Sequence, residues 1–391
     1  MKIYFSVCGL GLGHVGRCIP VARELERRGA RILFSTYGDA LGYLRREALP
    51  FVETPYLSYF VTPDGRVDLK ATTAYPGAFS ALLTLLRQVN AEISHIEALR
   101  PDLVFSDTRA SPILAARILG VKRVVMLNQF NIVIPRRKRF LRLSRLADVS
   151  LTALIGRIWA TSHRVLICDF PPPYTISKQN LVIPPSYRKR VSFTGPIVPV
   201  RPDELPDRLT LKEELGFDPD RPLILASISG PPREKAYPIR LLLDIFRRFP
   251  HDLQVVMSLG YPEKTSRLKE GPLQVFSWIP NRFEYLKACD LLVARAGHET
   301  VAQSMVFGRP SILVPTPGHT EQYGNARRAF SFGICDVIEQ EELTLKRLLS
   351  SVRRILGNEK YQDSVNAIQK EVSRYNGYEN VINAILELLG T

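Results

Sequence analysis

Short apolar runs alternate with stretches of helical period from the first residues onward. Ile3 to Val7 is nearly continuous in apolar side chains, a helical pattern runs from about Gly16 to Arg28, a second apolar run spans Arg31 to Ser35, and another helical pattern starts at about Asp39. Short buried strands separated by amphipathic helices build β-α-β units, so a parallel sheet is predicted. Asp102 to Asp107 continues the series as a buried strand with a polar end, followed by a helix around Ile113 to Leu119 and a strand from Arg123 to Leu127. The N-terminal half therefore reads as a doubly wound α/β domain.

Between Phe170 and Pro206 prolines recur too often for long helices, and a domain boundary is expected near the end of that stretch. The pattern then restarts. Strands are predicted at Leu223 to Ile228, Gln254 to Ser258, Gln274 to Phe276, Leu291 to Ala294 and Ser311 to Val314, with a helix around Ile239 to Arg248. This is a second α/β domain of similar build. No repeat or low-complexity tract is visible. Periodicity predicts a last helix from Val381 to Leu389 without saying what it packs on.

The 391 residues suffice for two cores, and 45% hydrophobic with 23% charged residues excludes global disorder. Cys8, Cys18, Cys168, Cys289 and Cys335 are odd in number and scattered, with neither a C-x-x-C pair nor zinc-ligand spacing. A disulfide framework is not expected, and a reducing compartment is the simpler reading. The 53 Lys and Arg against 38 Asp and Glu leave a formal charge of +15, which draws polyanions: nucleic acid, anionic headgroups or phosphorylated substrates. The apolar N-terminus gives way to Gly-rich turns, His14 and Arg17, so it reads as a strand rather than a signal peptide. No stretch is long and apolar enough to span a bilayer, and a cytoplasmic protein that touches a membrane face is expected.

Chemistry concentrates where predicted strands end. Cys8-Gly9-Leu10-Gly11-Leu12-Gly13-His14 is a glycine-rich turn into the first helix, where backbone can approach an anion closely. As a dinucleotide fingerprint it fails: the third glycine is misplaced, and Ser35-Thr36-Tyr37 offers no ribose-binding acid. His14 projects from the C-terminal edge of the sheet, where such folds bind ligands, and an imidazole titrates close to neutrality, which suits proton abstraction. Asp107 ends a strand of the same sheet and could orient it. The alternatives are a helix-capping or merely buried histidine, and an aspartate that caps the next helix.

In the second domain, Ser227-Ile228-Ser229-Gly230-Pro231-Pro232 can offer backbone N–H groups and a hydroxyl to a phosphate. Ala294-Arg295-Ala296-Gly297-His298-Glu299-Thr300 places glycine after a strand and polar groups on the opening turn of a helix, an anion site. The loop from Pro315 to Asn325 is dense in hydrogen-bonding groups that suit a polyhydroxylated ligand, although a solvated loop would look similar.

In this order the motifs resemble those of GT-B glycosyltransferases, in the branch that joins the UDP-glucuronosyltransferase type with MurG, which adds N-acetylglucosamine to a lipid-linked acceptor. Gly11-Leu12-Gly13-His14 is similar to the family's first loop, and Val104-Phe105-Ser106-Asp107 to the strand whose Asp supports the catalytic His. Ser277-Trp278-Ile279-Pro280 resembles the base-holding segment, and Arg295-Ala296-Gly297 through Gly308-Arg309-Pro310 the donor signature. The resemblance implies two Rossmann-like domains facing across a cleft: residues 1–195 for the acceptor, 196–375 for the nucleotide sugar, and a helix in 376–391 that packs back on the N-terminal domain. It implies His14 and Asp107 as catalytic residues. Gly13, Ser229, Gly230, Arg295, Gly297, His298, Glu299 and Thr300 would face the donor diphosphate, and Trp278, Ile279 and Gln303 the nucleoside. Glu321, Gln322 and Asn325 would contact the donor sugar, with Asn128 and Gln129 on the acceptor side. The reaction implied is inverting transfer without a metal or other cofactor, from a nucleotide sugar, foremost a UDP-sugar.

Two departures stand out: Gln303 replaces the family's usual ribose-binding Glu, and Asn128-Gln129-Phe130-Asn131 matches the acceptor loop only loosely. Asp218-Pro219-Asp220 spells a D-x-D but lies before a strand, away from the edge where a metal-bound diphosphate would sit. Arg136, Arg137, Lys138, Arg139 and Arg142 lead into a helical apolar pattern, which reads either as a membrane-contact helix or as an ordinary helix with a basic end. Leu82, Leu83, Leu86 and Val89 form another stripe, expected in the core. With the charge, these features point to a lipid or lipid-linked acceptor at the inner face of the membrane. The alternatives are a sugar-nucleotide epimerase on the same fold, and a nucleic-acid-binding protein, for which no motif is present.

Overall fold

The computed structural model describes residues 1–56, 60–68, 77–130, 154–181, 183 and 185–390. The basic segment Arg136 to Arg142 lies outside them. The chain forms two compact units, one of residues 1–60, 68–197 and 375–391, the other of residues 61–67 and 198–374.

The first unit is built on strands β1 (Lys2–Val7), β2 (Arg31–Thr36), β3 (Phe51–Glu53), β6 (Leu103–Asp107), β7 (Lys122–Leu127), β8 (Arg164–Ile167) and β9 (Val191–Phe193). They form one sheet in the order β3-β2-β1-β6-β7-β8-β9, parallel throughout. Strands β1 and β6 are central and covered on both faces, hence their continuous burial. Phe5 packs between Phe34 and Phe105, at ring-centroid distances of 5.4 and 4.8 Å. The last helix, Gly377–Leu389, buries Val381, Ile382 and Ile385 in the same core. Its Asn380 donates to the carbonyl of Thr194 at 2.8 Å.

One expectation for this unit is overturned. The helix Gly77–Leu99 buries Val89, but Leu82, Leu83 and Leu86 are 47%, 37% and 54% exposed. The helix turns its lower half inward through Gln88, Val89, Glu92 and Ile96, so the leucine stripe one turn earlier lies on the outside.

The second unit has strands β10 (Leu223–Ser227), β11 (Gln254–Ser258), β12 (Arg267–Glu270), β13 (Leu273–Phe276), β14 (Leu291–Ala294), β15 (Ser311–Leu313) and β16 (Cys335–Val337). Their order is β12-β13-β11-β10-β14-β15-β16, parallel except for the antiparallel edge strand β12. Pro231 is the N-cap and Pro232 the first residue of the helix Pro232–Phe246, where proline's fixed φ and missing N–H suit the first turn. The helix His298–Phe307 ends at Gly308, whose φ of 62° is left-handed. The short strands β4 (Phe60–Val61) and β5 (Val67–Asp68) pair into a hairpin, and its residues 61–67 belong to this unit rather than to the N-terminal one. There Val67 N–H donates to the Pro317 carbonyl at 3.0 Å, and Gln340 donates to that of Asp64 at 2.8 Å.

Candidate functional site

In the first unit the register pairs Val7 of β1 with Asp107 of β6, so both strands end level at the C-terminal edge of the sheet. Beyond β1 the chain makes the glycine loop. A Cβ on Gly9 would lie 1.6 Å from the Tyr37 carbonyl oxygen, so only glycine fits there. Gly11, at a φ of 72°, donates its N–H to the Asp39 carboxylate at 3.0 Å. That amide is thereby committed within the protein, while Gly13 lies exposed at the first position of the helix Gly13–Arg27.

His14, second in that helix, keeps 22% of its side chain accessible, and its Nδ1 lies 2.9 Å from Oδ1 of the fully buried Asp107. The pairing expected of these two residues is present. Sequence reasoning missed what else holds Asp107. Arg17 donates from Nε to Oδ2 at 2.7 Å and from Nη2 to Oδ1 at 2.6 Å, Thr108 Oγ1 donates to Oδ1 at 2.9 Å, and Cys18 Sγ reaches Oδ2 at 3.4 Å. Thr108 holds a φ of 69°, a strained conformation for a residue with a Cβ, of the kind that clusters at functional sites. Burial pushes the Asp107 carboxyl upward, but the charges of Arg17 and then His14, with their hydrogen bonds, outweigh it and hold the group well below the usual carboxylate range. The signal for Arg17 was available in the sequence, since three residues after His14 on a helix is the same face.

Beneath this pair lies a second buried network. Arg109 Nη2 meets Glu92 at 2.8 Å, Tyr4 and Ser35 donate to the same carboxylate at 2.6 and 2.8 Å, and Arg109 Nη1 donates to Ser6 Oγ at 2.7 Å. Burial, then the Glu92 charge, push the Tyr4 phenol far above its ordinary range. This network joins β1, β2 and the loop after β6 under the site. Asn128 is buried at the end of β7, and Gln129 Oε1 accepts from Asn180 at 3.4 Å.

In the second unit three neighbouring strands, β10, β14 and β15, each lead into a helix at the same sheet edge. Ser227 pairs with Ala294 in register, which sets the turn with Ser229 and Gly230 beside the turn with Gly297. Gly230 has a φ of 123°, a conformation that side chains rarely adopt. The helices Pro232–Phe246, His298–Phe307 and Thr320–Ser331 all begin without a side-chain cap. The first N–H groups of His298–Phe307 and Thr320–Ser331 form an electropositive edge suited to an anion, whereas the helix Pro232–Phe246 opens on two prolines that have no N–H to offer. A Cβ on Gly297 would meet only Thr300 Oγ1, at 4.0 Å, so this approach to the helix start is open.

Several residues expected at the donor do other work. Arg295 is not free to face a diphosphate: it is 2% exposed, and donates to the carbonyls of Val314 at 3.0 Å and Pro315 at 3.2 Å and to Gln340 Oε1 at 2.8 Å. Burial lowers its guanidinium to about 10, with the Glu234 charge opposing. The arginine clamps the loop after β15. Asn325 is likewise buried and donates to the Ala296 carbonyl at 3.1 Å, so it ties the helix Thr320–Ser331 to the Gly297 turn instead of reaching a sugar. Gln322 gives its Oε1 to the Thr316 N–H at 2.8 Å, which leaves its amide N–H₂ for a ligand. His298, Ile279 and Gln303 are 3%, 4% and 8% exposed, so the imidazole of His298 is packed inside and only its backbone can face the edge. Trp278, Glu299, Thr300 and Glu321 are half-buried.

Asp218 spends one carboxylate oxygen on the Asp220 N–H at 3.0 Å, a local turn ahead of β10. Among the described residues no group of three or more His, Cys, Asp or Glu side chains could hold a metal ion. No described helix is long and apolar enough to cross a membrane.

Residues 239–381 match the glycosyltransferase family 28 C-terminal domain. A protein of Methanosarcina mazei named as an uncharacterized glycosyltransferase is 26% identical over 100% of this chain and 98% of its own length. The UDP-N-acetylglucosamine–N-acetylmuramyl-(pentapeptide) pyrophosphoryl-undecaprenol N-acetylglucosamine transferase of Desulforamulus reducens is 25% identical, over 100% of this chain and 99% of its own. Among solved structures, MurG of Acinetobacter baumannii superposes with a TM-score of 0.60 at 17% identity, covering 99% of each chain. The Streptomyces glycosyltransferase SsfS6 in complex with thymidine diphosphate superposes with a TM-score of 0.63 at 17% identity, covering 99% of each chain. The two doubly wound units have the GT-B fold, residues 239–381 carry a glycosyltransferase family 28 C-terminal domain, and the chain is similar over its full length to glycosyltransferases, MurG-type enzymes among them.

Proposed function

We propose that this protein is a metal-independent, inverting glycosyltransferase that moves a sugar from a UDP-sugar to a hydroxyl of a lipid or lipid-linked acceptor at the cytoplasmic face of a membrane. The observation that carries the reading is the His14–Asp107 pair at the C-terminal edge of β1 and β6, with the imidazole part-exposed and the carboxylate buried. His14 takes the proton of the acceptor hydroxyl as its oxygen bonds to the anomeric carbon; the bond from that carbon to the diphosphate oxygen breaks on the opposite face and its electron pair leaves with UDP. The N–H groups at the start of the helix His298–Phe307, with the backbone of the Gly230 turn beside it, stabilise the departing diphosphate. Trp278 and Ile279 hold the base through backbone, Gln303 takes a ribose hydroxyl, and Glu321 with the amide of Gln322 holds the sugar.

The acceptor follows from charge and from the leucines of the helix Gly77–Leu99. Leu82, Leu83 and Leu86 stand exposed on a chain of net charge +15, a pairing that suits an anionic lipid surface. The test is transfer from labelled UDP-sugars to a lipid extract, followed by wild-type protein and His14→Ala. The reading expects product with inverted anomeric configuration from the wild type alone. Conversion of the UDP-sugar to its epimer without an acceptor would replace transfer by epimerisation, and transfer only from thymidine diphosphate sugars would change the donor.

A further inference from the structure

Two side chains with opposite hydrogen-bonding character meet the same nitrogen of His14. Its Nδ1 lies 2.9 Å from Asp107 Oδ1 and 3.2 Å from Arg17 Nη2. These distances decide where the proton sits. Asp107 is held as the carboxylate, which has no hydrogen to donate, so a 2.9 Å contact requires the hydrogen on Nδ1. A guanidinium has only donors, and Arg17 directs its Nη2 to Oδ1 at the shorter 2.6 Å. Nε2 is thereby left with its lone pair.

We propose that Arg17 is the positioning residue of this site. By its two-point hold on Asp107 it fixes the carboxylate in the one orientation that keeps His14 in the Nδ1–H tautomer with Nε2 open as a base. Arg17 itself is 3% exposed, and the planar fork of Nε and Nη2 grips both oxygens, which restricts rotation of the carboxylate in a way that no single-point donor can. The other groups around the pair are neutral: Thr108, and the thiols of Cys18 and Cys8, which burial pushes upward. Cys168 lies near Cys18, and Arg109 acts on Cys8 from the loop after β6. None offers a second fork. Without Arg17, Asp107 turns toward its remaining donors and His14 returns toward the Nε2–H tautomer that a free imidazole favours in water, in which the nitrogen meant for the acceptor already carries a proton.

The proposal rests on His14 as the base of the transfer reaction, but its test does not. The full chain is prepared with ¹⁵N-labelled histidine, and the His14 resonances are identified among the six histidines by their loss in His14→Ala. Nitrogen shifts recorded over a pH series then report the tautomer of the neutral imidazole directly. The expected result is Nδ1–H in the wild type and a shift toward Nε2–H in Arg17→Met and Arg17→Gln. Arg17→Lys, which keeps the charge but loses the fork, falls between. Where transfer can be assayed, kcat falls by about 10- to 100-fold in Arg17→Met with the donor KM unchanged, and Arg17→Lys restores part of it. Dispersion of the other histidine signals reports whether each variant folds, and a wild type in the Nε2–H tautomer overturns the proposal whether or not any variant folds. So does an unchanged tautomer in folded Arg17→Met or Arg17→Gln. A failure of UDP to bind the wild type would sink the transfer reading and leave the tautomer result standing.

Discussion

On the proposed reading, the two units meet their chemistry with different parts of the polypeptide. At the edge of β1 and β6 the working groups are side chains, buried, charged and paired: Asp107 at 0% exposure accepts from His14, Arg17, Thr108 and Cys18. At the edge of β10, β14 and β15 they are backbone amides, and Arg295 of the donor signature is turned inward to clamp carbonyls. The difference follows from what each site has to do. Moving a proton needs a group that changes charge in a fixed place, which only a side chain anchored by others can supply. Holding a diphosphate needs fixed partial charges close to the ligand, and glycine turns with uncapped helix starts provide them with no side chain in the way.

The comparison can be broken most sharply at His14. His14→Ala should reduce transfer by about 10²- to 10⁴-fold, the range of general base catalysis, with UDP affinity unchanged. Steady-state rates and a UDP titration on the same preparation check both halves. Next in size is Arg295→Met, expected to lower the urea midpoint substantially, because each buried acceptor left without its donor costs about 1–3 kcal/mol. The folded fraction should bind UDP as before; a stable variant that has lost UDP would return Arg295 to the diphosphate. Gly230→Ala is expected to weaken UDP binding on the order of 10-fold, since a side chain at a φ of 123° adds strain of about 1–3 kcal/mol where the loop must stay shaped.

A smaller effect concerns acid stability. The Asp107 carboxyl is depressed in the folded protein, so its stabilising contribution is complete above the unfolded carboxylate value of about 3.9 and is lost as pH falls below it toward the folded value. Urea midpoints measured from about pH 5 down to pH 2.5 should fall more steeply in the wild type than in Asp107→Asn, which is less stable at neutral pH. Least visible in the isolated protein is Leu83→Glu with Leu86→Glu. Both positions are exposed, so stability should change by no more than about 0.5 kcal/mol, while flotation with anionic vesicles should weaken.

What the sequence made legible follows the same division. The central strands could be read because burial on both faces writes a continuous apolar run, as in Ile3 to Val7 and Leu291 to Ala294. Edge strands could not: β12 reads Arg-Leu-Lys-Glu, exposed at every position, and β3, β9 and β16 have three residues each. The glycine turns were legible as such, because few other residues tolerate those conformations. The roles of Arg295 and Asn325 were not, since whether a polar side chain points to solvent, a carbonyl or a carboxylate is settled by tertiary neighbours far along the chain. The leucine stripe of the helix Gly77–Leu99 misled for a related reason: a periodic apolar face shows that a helix is amphipathic, not which of its turns is covered.

On the proposed reading, unit two holds the nucleotide through backbone while unit one handles the proton through side chains. A UDP titration followed by thermal unfolding tests it most directly, on the wild type, His14→Ala and Gly230→Ala. Since a ligand of the native state alone raises stability as its concentration passes its Kd, UDP should raise Tm equally in the wild type and His14→Ala and less in Gly230→Ala. No rise in the wild type, or a rise abolished by His14→Ala and untouched by Gly230→Ala, would contradict the account.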